Sequence, residues 1–153
     1  MSSTDAQAVI SLPPAVVYAA LCDLGRRPEL DPTISELDAA NQPIVEGATF
    51  AGRGTLTGDD SAFEGIVTAL EPDRFVGLGF SYRSGARLHE QWRLRATPSG
   101  TLVTYHADLS LPGGILGRLM DLLLAGSGFR KQREAVLMHV KARMERRQPD
   151  CGA

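Results

Sequence analysis

Apolar residues recur every three or four positions from Ile115 to about Arg147, directly after Leu111-Pro112-Gly113-Gly114. Projected at about 100° per residue, they form one stripe, which is typical of an amphipathic helix lying on a core. The stripe consists of Ile115, Leu119, Leu122, Phe129, Val136, Val140 and Met144. Arg133 lies on the same face, between Phe129 and Val136. Because a desolvated guanidinium is costly unless it is paired or hydrated, we expect a polar group opposite Arg133.

Earlier in the chain, the pattern alternates between apolar and polar positions, which predicts strands separated by turns rich in glycine, proline, aspartate and serine. The predicted strands are 7–12, 33–39, 48–57, 62–70, 75–82, 86–96 and 101–110. Short turns join most of the later strands, so we predict an antiparallel meander. Gly52 and Gly54 share one face of the third strand and favour a bend there, which is how a sheet curls. We expect residues 1–6, which are small and polar, to be loose.

Two helical regions bracket the meander, which makes this an α+β domain. Pro14 opens a short helix that runs through Cys22 and is closed by Gly25, with Val17, Leu21 and Leu24 on its inner side. The two prolines between Arg26 and Pro32 allow only a turn of helix or a loop. Gly126-Ser127-Gly128 is expected to kink or split the long helix. We predict one domain over residues 1–148 and a flexible tail at 149–153.

Composition excludes several classes of function. The chain has 153 residues, of which 43% are hydrophobic, and a net charge of −2, so it has no overall basic field to hold nucleic acid. No apolar run approaches the roughly 20 residues of a membrane span, and the start of the chain does not resemble a signal peptide. We therefore expect a cytoplasmic protein without an integral membrane segment.

The cysteines and the apolar residues outside the stripe bear on the oligomeric state. Cys22 and Cys151 are the only cysteines, and their positions favour no structural disulfide. Three apolar residues project opposite the stripe: Met120, Leu124 and Met138. They are single exposed residues, a secondary packing surface or a dimer contact, and we favour single exposed residues because these are normal on protein surfaces. We expect a monomer or a weak dimer.

Six segments spread along the chain form a recognisable set of diffuse motifs. They are Leu21-Cys22-Asp23, Pro28-Glu29-Leu30-Asp31-Pro32, Glu64-Gly65-Ile66-Val67-Thr68-Ala69-Leu70-Glu71-Pro72, Glu90-Gln91-Trp92-Arg93-Leu94, Leu111-Pro112-Gly113-Gly114 and Val140-Lys141-Ala142-Arg143-Met144-Glu145. Together they resemble the polyketide cyclase/dehydrase and lipid-transport proteins of the START-like (Bet v 1-like, SRPBCC) superfamily, and the resemblance covers nearly the whole chain.

The resemblance implies a helix-grip fold, in which a curved seven-stranded antiparallel sheet wraps on a long C-terminal helix, with two short helices after the first strand. It also implies a cavity between sheet and helix for a hydrophobic small molecule, since members carry lipids, steroids, quinones or polyketide intermediates and some catalyse cyclisation or dehydration. Many relatives have tryptophan near the position of Leu30, so a contact that depends on that indole is absent here.

Strand parity identifies the candidate site. On the strand 86–96, Arg87, His89, Gln91, Arg93 and Arg95 share one side, and Leu88, Glu90, Trp92, Leu94 and Ala96 share the inner side. Glu90 is therefore the predicted partner of Arg133. The pair is either a structural ion pair between helix and sheet or part of a ligand site, and the sequence favours neither.

The same parity places aromatic side chains inside. Tyr105 shares the inner face with Val103, Ala107 and Leu109, while Phe80 and Tyr82 share theirs with Val76 and Leu78; Phe50 and Phe63 are weaker candidates. Core packing alone is the alternative for each aromatic residue. The candidate ligand-binding residues are Glu90, Trp92, Arg133, Tyr105, Tyr82, Phe80 and Phe129.

No catalytic residue is assigned from the sequence. His89 and His106 fall on outer faces and His139 on the flank of the helix stripe, so none is placed as a general base. No cluster has metal-ligand spacing, and we expect neither a metal nor a cofactor. The leading hypothesis is a binder of a lipid, polyketide or other aromatic molecule. The alternatives are a polyketide aromatase/cyclase or dehydrase using the same cavity, and a protein-interaction or lipid-presenting adaptor.

Overall fold

The computed structural model describes residues 2–38, 44–56, 60–113 and 127–146. Its strands form one antiparallel seven-stranded sheet in the order β1-β7-β6-β5-β4-β3-β2. The strands are β1 (Ser2–Ile10), β2 (Ile34–Asp38), β3 (Thr49–Gly54), β4 (Ser61–Glu71), β5 (Phe75–Tyr82), β6 (Arg87–Thr97) and β7 (Gly100–Ser110). Helix α1 (Pro14–Cys22), a 3₁₀ turn (Leu24–Arg26) and helix α2 (Arg27–Leu30) connect β1 to β2, and helix α3 (Ser127–Arg146) follows β7. The predicted α+β arrangement is confirmed.

The sheet bends where the sequence places its glycines. The register between β2 and β3 shifts at Ile34/Glu36, and that between β4 and β5 shifts at Val67/Ala69. At Gly65, the ring of Phe50 occupies the space that a side chain would need. Bulges of this kind bend the strand and raise the local twist of the sheet.

Strand β1 corrects one expectation. Residues 2–6 are not loose but pair with β7, in the register Ser2↔Leu109 to Ala6↔Tyr105. On the outer face, Ser3 Oγ donates to Asp108 Oδ1 at 2.5 Å, and Asp5 Oδ1 lies 2.6 Å from His106 Nδ1. Thr4 faces inward, where its hydroxyl is buried without a hydrogen-bond partner. The composition of this segment therefore did not predict its structure, because a neighbouring strand distant in sequence supplies the bonds.

Helix α1 agrees with the prediction in position, and Val17, Leu21 and Leu24 are buried. It ends at Cys22, however, and Gly25 lies in the following 3₁₀ turn. Ala96 was predicted to face inward but is exposed at the end of β6. The predicted strand ends at Ala39 and Thr57 lie outside the described residues, as do Cys151 and the tail.

Helix α3 packs its apolar stripe toward the sheet. Phe129, Val136, Val140 and Met144 are buried as predicted, together with Leu137. The helix is joined to β1 by hydrogen bonds, since Lys141 Nζ donates to the Val9 carbonyl at 2.7 Å and the Ser11 amide donates to Glu145 at 3.0 Å.

Part of the long-helix prediction falls on residues that are not described. Ile115, Leu119 and Leu122 lie there, so the predicted kink at Gly126-Ser127-Gly128 stays a prediction, although α3 begins at Ser127. Met138 is 53% exposed, in line with its predicted place opposite the stripe. Met120 and Leu124 lie outside the described part of the chain.

Candidate functional site

Glu90 is the centre of a polar cluster beneath α3. It points inward from β6, with no exposed surface, and each of its oxygens accepts two hydrogen bonds. Oε2 accepts from Arg27 Nη2 at 2.5 Å and from Trp92 Nε1 at 3.1 Å. Oε1 accepts from the Tyr105 hydroxyl at 2.9 Å and from Arg133 Nη1 at 3.4 Å. The carboxylate is thus saturated with donors from two strands and two helices.

The contact between Arg133 and Glu90 that the sequence predicts is present in the structure, between side chains that are both 0% exposed. Most of the bonds of Arg133 are long. Its Nη1 donates to Tyr105 Oη at 3.4 Å, and its Nη2 donates to Thr33 Oγ1 at 3.4 Å and to Gln132 Oε1 at 3.1 Å. Hydrogen bonds beyond about 3.2 Å are weak. Arg133 is therefore buried but loosely held.

Arg27 is the partner that sequence reasoning missed. Besides its short bond to Glu90, its Nη2 lies 3.7 Å from Asp31 Oδ2, and its guanidinium stacks on the Trp92 ring at 5.2 Å. The segment 26–32 was predicted only as a helical turn or loop, without an inner face. Arg27 and Asp31 are four residues apart, and this helical spacing was the available signal that both charges share one side.

Asp31 extends the cluster to β2. Its Oδ1 accepts from the Thr33 amide at 2.9 Å and from the Thr33 hydroxyl at 2.6 Å. Thr33 Oγ1 in turn accepts from Arg133. The cluster therefore links α2, the start of β2, the middle of β6 and β7, and α3, which are far apart in the sequence.

The charges of this cluster balance. Arg27, Asp31, Glu90 and Arg133 are all at most 1% exposed, and two cations face two anions. Its hydrogen bonds do not balance, because Arg27 Nε and Nη1, Arg133 Nε and Asp31 Oδ2 have no partner. Buried polar atoms in folded proteins are nearly always hydrogen-bonded, so these three donors and one acceptor require an explanation.

The surroundings of Arg27, Arg133 and Tyr105 raise the pKa of all three groups. Burial alone would lower the pKa of Arg27, but Glu90 and Asp31 raise it above its ordinary value. Burial opposes the charge of Arg133 as well, and Tyr105, Asp31 and Glu90 raise its pKa. Burial, and next the Glu90 charge, hold the pKa of Tyr105 well above its ordinary value. Both arginines are therefore charged and Tyr105 is neutral near pH 7.

The predicted aromatic residues are all buried, but they fall into two groups. The Trp92 and Tyr105 rings lie 4.2 Å apart within the cluster, and Phe129 lies 5.9 Å from the Arg133 guanidinium. Phe80 and Tyr82 belong to a neighbouring group with Phe50 and Phe63, whose ring centroids lie 5.2 to 6.4 Å apart. Burial and then the Glu90 charge raise the pKa of Tyr82.

A groove of about 600 Å³ opens elsewhere, between the short helices and the C-terminal end of α3. None of the predicted ligand-binding residues lines it. Its walls are largely apolar and consist of Leu12, Pro13, Val16, Ala19, Ala20, Asp23, Arg26, Glu29, Leu30 and Met144. This groove is therefore distinct from the cavity that the resemblance implies between sheet and helix. We call it the α1–α2 groove.

The histidines lie outside the cluster. His89 and His106 are on the outer face of the sheet as predicted, and His139 bonds the Glu29 carbonyl at 3.1 Å. Within the ranges that the structure covers, no group of three or more His, Cys, Asp or Glu side chains is arranged to hold a metal ion. In the same ranges, no helix combines the length and hydropathy needed to cross a membrane.

The chain matches a known protein family over most of its length. The sequence profile of the family described as polyketide cyclase / dehydrase and lipid transport matches residues 1–145. A solved structure from Thermus thermophilus is 18% identical over 96% of this chain and 99% of that chain, with a TM-score of 0.75. Ara h 8.0201 is 12% identical over 93% of this chain and 96% of that chain, with a TM-score of 0.63.

A third similar structure is larger than this chain. DynU16, a protein in the dynemicin biosynthetic locus, is 20% identical over 95% of this chain and 46% of its own, with a TM-score of 0.61. At these identities, the likeness establishes the Bet v 1-like helix-grip fold and nothing about activity. A search of curated protein sequences found no significant match.

Proposed function

The chain belongs to the polyketide cyclase/dehydrase and lipid-transport family, and we propose that it binds a hydrophobic or aromatic small molecule between the sheet and the C-terminal helix. The observation that carries this proposal is the buried charge cluster around Glu90, with its unpartnered arginine nitrogens. The polar part of the ligand would bond these nitrogens, and its apolar part would contact Trp92, Phe129, Phe80 and Tyr82.

The energetics of burial support a functional role for the cluster. Desolvating two ion pairs costs several kcal/mol per ion, and replacing such pairs by well-packed apolar residues is often neutral or stabilising. The fold alone thus gives little reason to place Arg27, Asp31, Glu90 and Arg133 in the core. Three donor atoms without partners add a further cost, which a bound acceptor would remove.

The same geometry favours binding over catalysis. Both oxygens of Glu90 are occupied by donors, which leaves no free lone pair directed at a substrate proton. The raised pKa of Tyr105 makes its hydroxyl a poor proton donor near pH 7. The cluster is suited to holding a polar group in place, which a carrier needs as much as an enzyme does.

The proposal is tested by native mass spectrometry of the purified protein, followed by calorimetric titration of any co-purifying molecule into the wild type, Arg133→Met and Val16→Glu. Val16 lines the α1–α2 groove and is the matched control. We expect a bound apolar ligand whose affinity falls about tenfold or more in Arg133→Met and stays unchanged in Val16→Glu. The reverse pattern would place the ligand in the groove and contradict the proposed site.

A further inference from the structure

The unpartnered atoms of the buried cluster are mostly hydrogen-bond donors. Arg27 Nε and Nη1 and Arg133 Nε are donors without partners, whereas Asp31 Oδ2 is the one acceptor in the cluster without a hydrogen bond. Asp31 Oδ2 nevertheless lies 3.7 Å from Arg27. The larger deficit is thus on the donor side, and a hydrogen-bond acceptor is what would satisfy it.

The charge inventory restricts that acceptor further. Arg27 and Arg133 are already matched by Glu90 and Asp31, at N–O distances of 2.5, 3.7 and 3.4 Å. A carboxylate added to this neutral set would leave one uncompensated negative charge in the core, close to two existing carboxylates. Burying an unmatched charge is far costlier than burying a neutral carbonyl.

The two arginines differ in how freely they could bond a ligand. Arg27 is fixed by its 2.5 Å bond to Glu90 and by stacking on Trp92. Arg133 makes three contacts of 3.4 Å, to Glu90, Tyr105 and Thr33, and has the unpartnered Nε. Its one bond of ordinary length, 3.1 Å, is to Gln132, its neighbour in the chain. Arg133 can therefore turn toward a ligand at the cost of weak contacts and one neutral bond, while Arg27 stays paired with Glu90.

From these observations we infer that the site takes a ligand whose polar part is a neutral carbonyl oxygen, as in a ketone or ester, bonded by Arg133, and that it discriminates against a free carboxylate. The inference rests on the proposed function and specifies its ligand class. It separates neutral carbonyl compounds from fatty acids and other organic acids, which have similar apolar parts.

The test uses three naphthalenes substituted at the same ring position: acetylnaphthalene with a ketone, ethylnaphthalene with no acceptor, and naphthoate with a charge. Each is titrated calorimetrically at pH 7 into the wild type, Arg133→Met, Arg133→Lys and Val16→Glu. In the wild type, we expect the ketone to bind about tenfold more tightly than the hydrocarbon and more than tenfold more tightly than naphthoate.

The variants report on the donor. In Arg133→Met, the ketone should bind no better than ethylnaphthalene, whose affinity should change less than about twofold. Arg133→Lys should restore part of the preference, and Val16→Glu should keep all of it. Circular dichroism checks that each variant folds, and the wild-type comparison stands without them.

Three results would overturn the inference. Equal affinity for ketone and hydrocarbon would refute the carbonyl contact while leaving apolar ligand binding intact. Naphthoate binding as tightly as the ketone would refute the charge argument alone. No binding of any probe by the wild type would overturn the inference together with the proposed function.

Discussion

The two faces of the sheet carry charged clusters in opposite surroundings. On the inner face, Glu90 is enclosed by two arginines, with no exposed surface. On the outer face, His106 lies between Asp5 at 2.6 Å and Asp108 at 3.0 Å, and its side chain is 30% exposed. The inner cluster is buried and has unpartnered donors, whereas water can solvate the outer one.

The difference shows what burial adds to an ion pair. Exposed pairs contribute about 0 to 1 kcal/mol each, because solvent screens them. Removing one partner of a buried pair costs about 3–5 kcal/mol, because the other charge is left unmatched in the core. We therefore expect substitutions on the inner face to affect both stability and binding, and those on the outer face to affect only the attachment of β1 to β7.

Glu90→Leu should give the largest effect. It leaves Arg27 without its main counter-ion and Arg133 with one fewer, so we expect a loss of about 3–5 kcal/mol in the free energy of unfolding, measured with urea. The matched control is Glu64→Leu on the exposed face of β4, where we expect a change within about 0.5 kcal/mol. Similar losses in the two variants would remove the distinction between the faces.

Arg27→Met and Arg133→Met should then separate the roles of the two inner arginines. The shorter bond and the stacking on Trp92 make Arg27 the more stabilising residue, so we expect about 3 kcal/mol lost on its removal and about 1–2 kcal/mol for Arg133. Binding of acetylnaphthalene should show the opposite order. If Arg27→Met caused the larger loss in both stability and acetylnaphthalene binding, the proposed division of roles between the two arginines would be wrong.

Substitution of His106 should change the free energy of unfolding least, and by an amount that depends on pH. Burial is the largest single influence on its pKa and lowers it, but hydrogen bonds and charges from Asp5 and Asp108 together outweigh burial and raise the pKa above the ordinary value. Because the folded pKa exceeds the unfolded one, the stabilisation is complete below about pH 6.5, the unfolded value, and is lost as pH rises through the folded pKa. Solvent screening limits it to less than about 1 kcal/mol.

The measurement is urea unfolding of the wild type and His106→Asn at pH 5.5 and pH 8.5. The wild type should exceed the variant in stability at the lower pH, and the gap should narrow at the higher pH. His89→Asn is the matched control, since His89 lies on the same face and bonds Thr68 at 3.2 Å. A gap that is constant with pH would show that the charge of His106 plays no part.

The periodicity of the sequence predicted the positions of two of the four charged residues in the inner cluster. Strand parity placed Glu90 inside and the helix stripe placed Arg133 opposite it, because each is a local geometric rule. Arg27 and Asp31 were missed because the prolines around them indicated an irregular turn, whose face local pattern does not define. Their burial depends on contacts with Glu90 and Thr33, which are set by the tertiary fold.

The same limit applies to β1 and to the ligand site. The pairing of residues 2–6 with β7 depends on bonds from a strand about a hundred residues away. The resemblance implies a cavity between sheet and helix, but the α1–α2 groove is formed by side chains of α1, α2 and α3, which no single pattern brings together. The ligand role of the seven candidate residues therefore stays a prediction.

The most direct test of the central claim is a ¹H–¹⁵N spectrum that observes the Arg133 Nε–H and the Trp92 Nε1–H during titration with acetylnaphthalene. Trp92 is the only tryptophan, so its indole signal needs no separate assignment. We predict that the Arg133 Nε–H signal moves downfield as its unpartnered donor gains a carbonyl acceptor, while the Trp92 signal keeps the shift of its bond to Glu90. Saturable shifts confined to Val16, Ala19 and Ala20 in the α1–α2 groove, with Arg133 unchanged, would contradict the account.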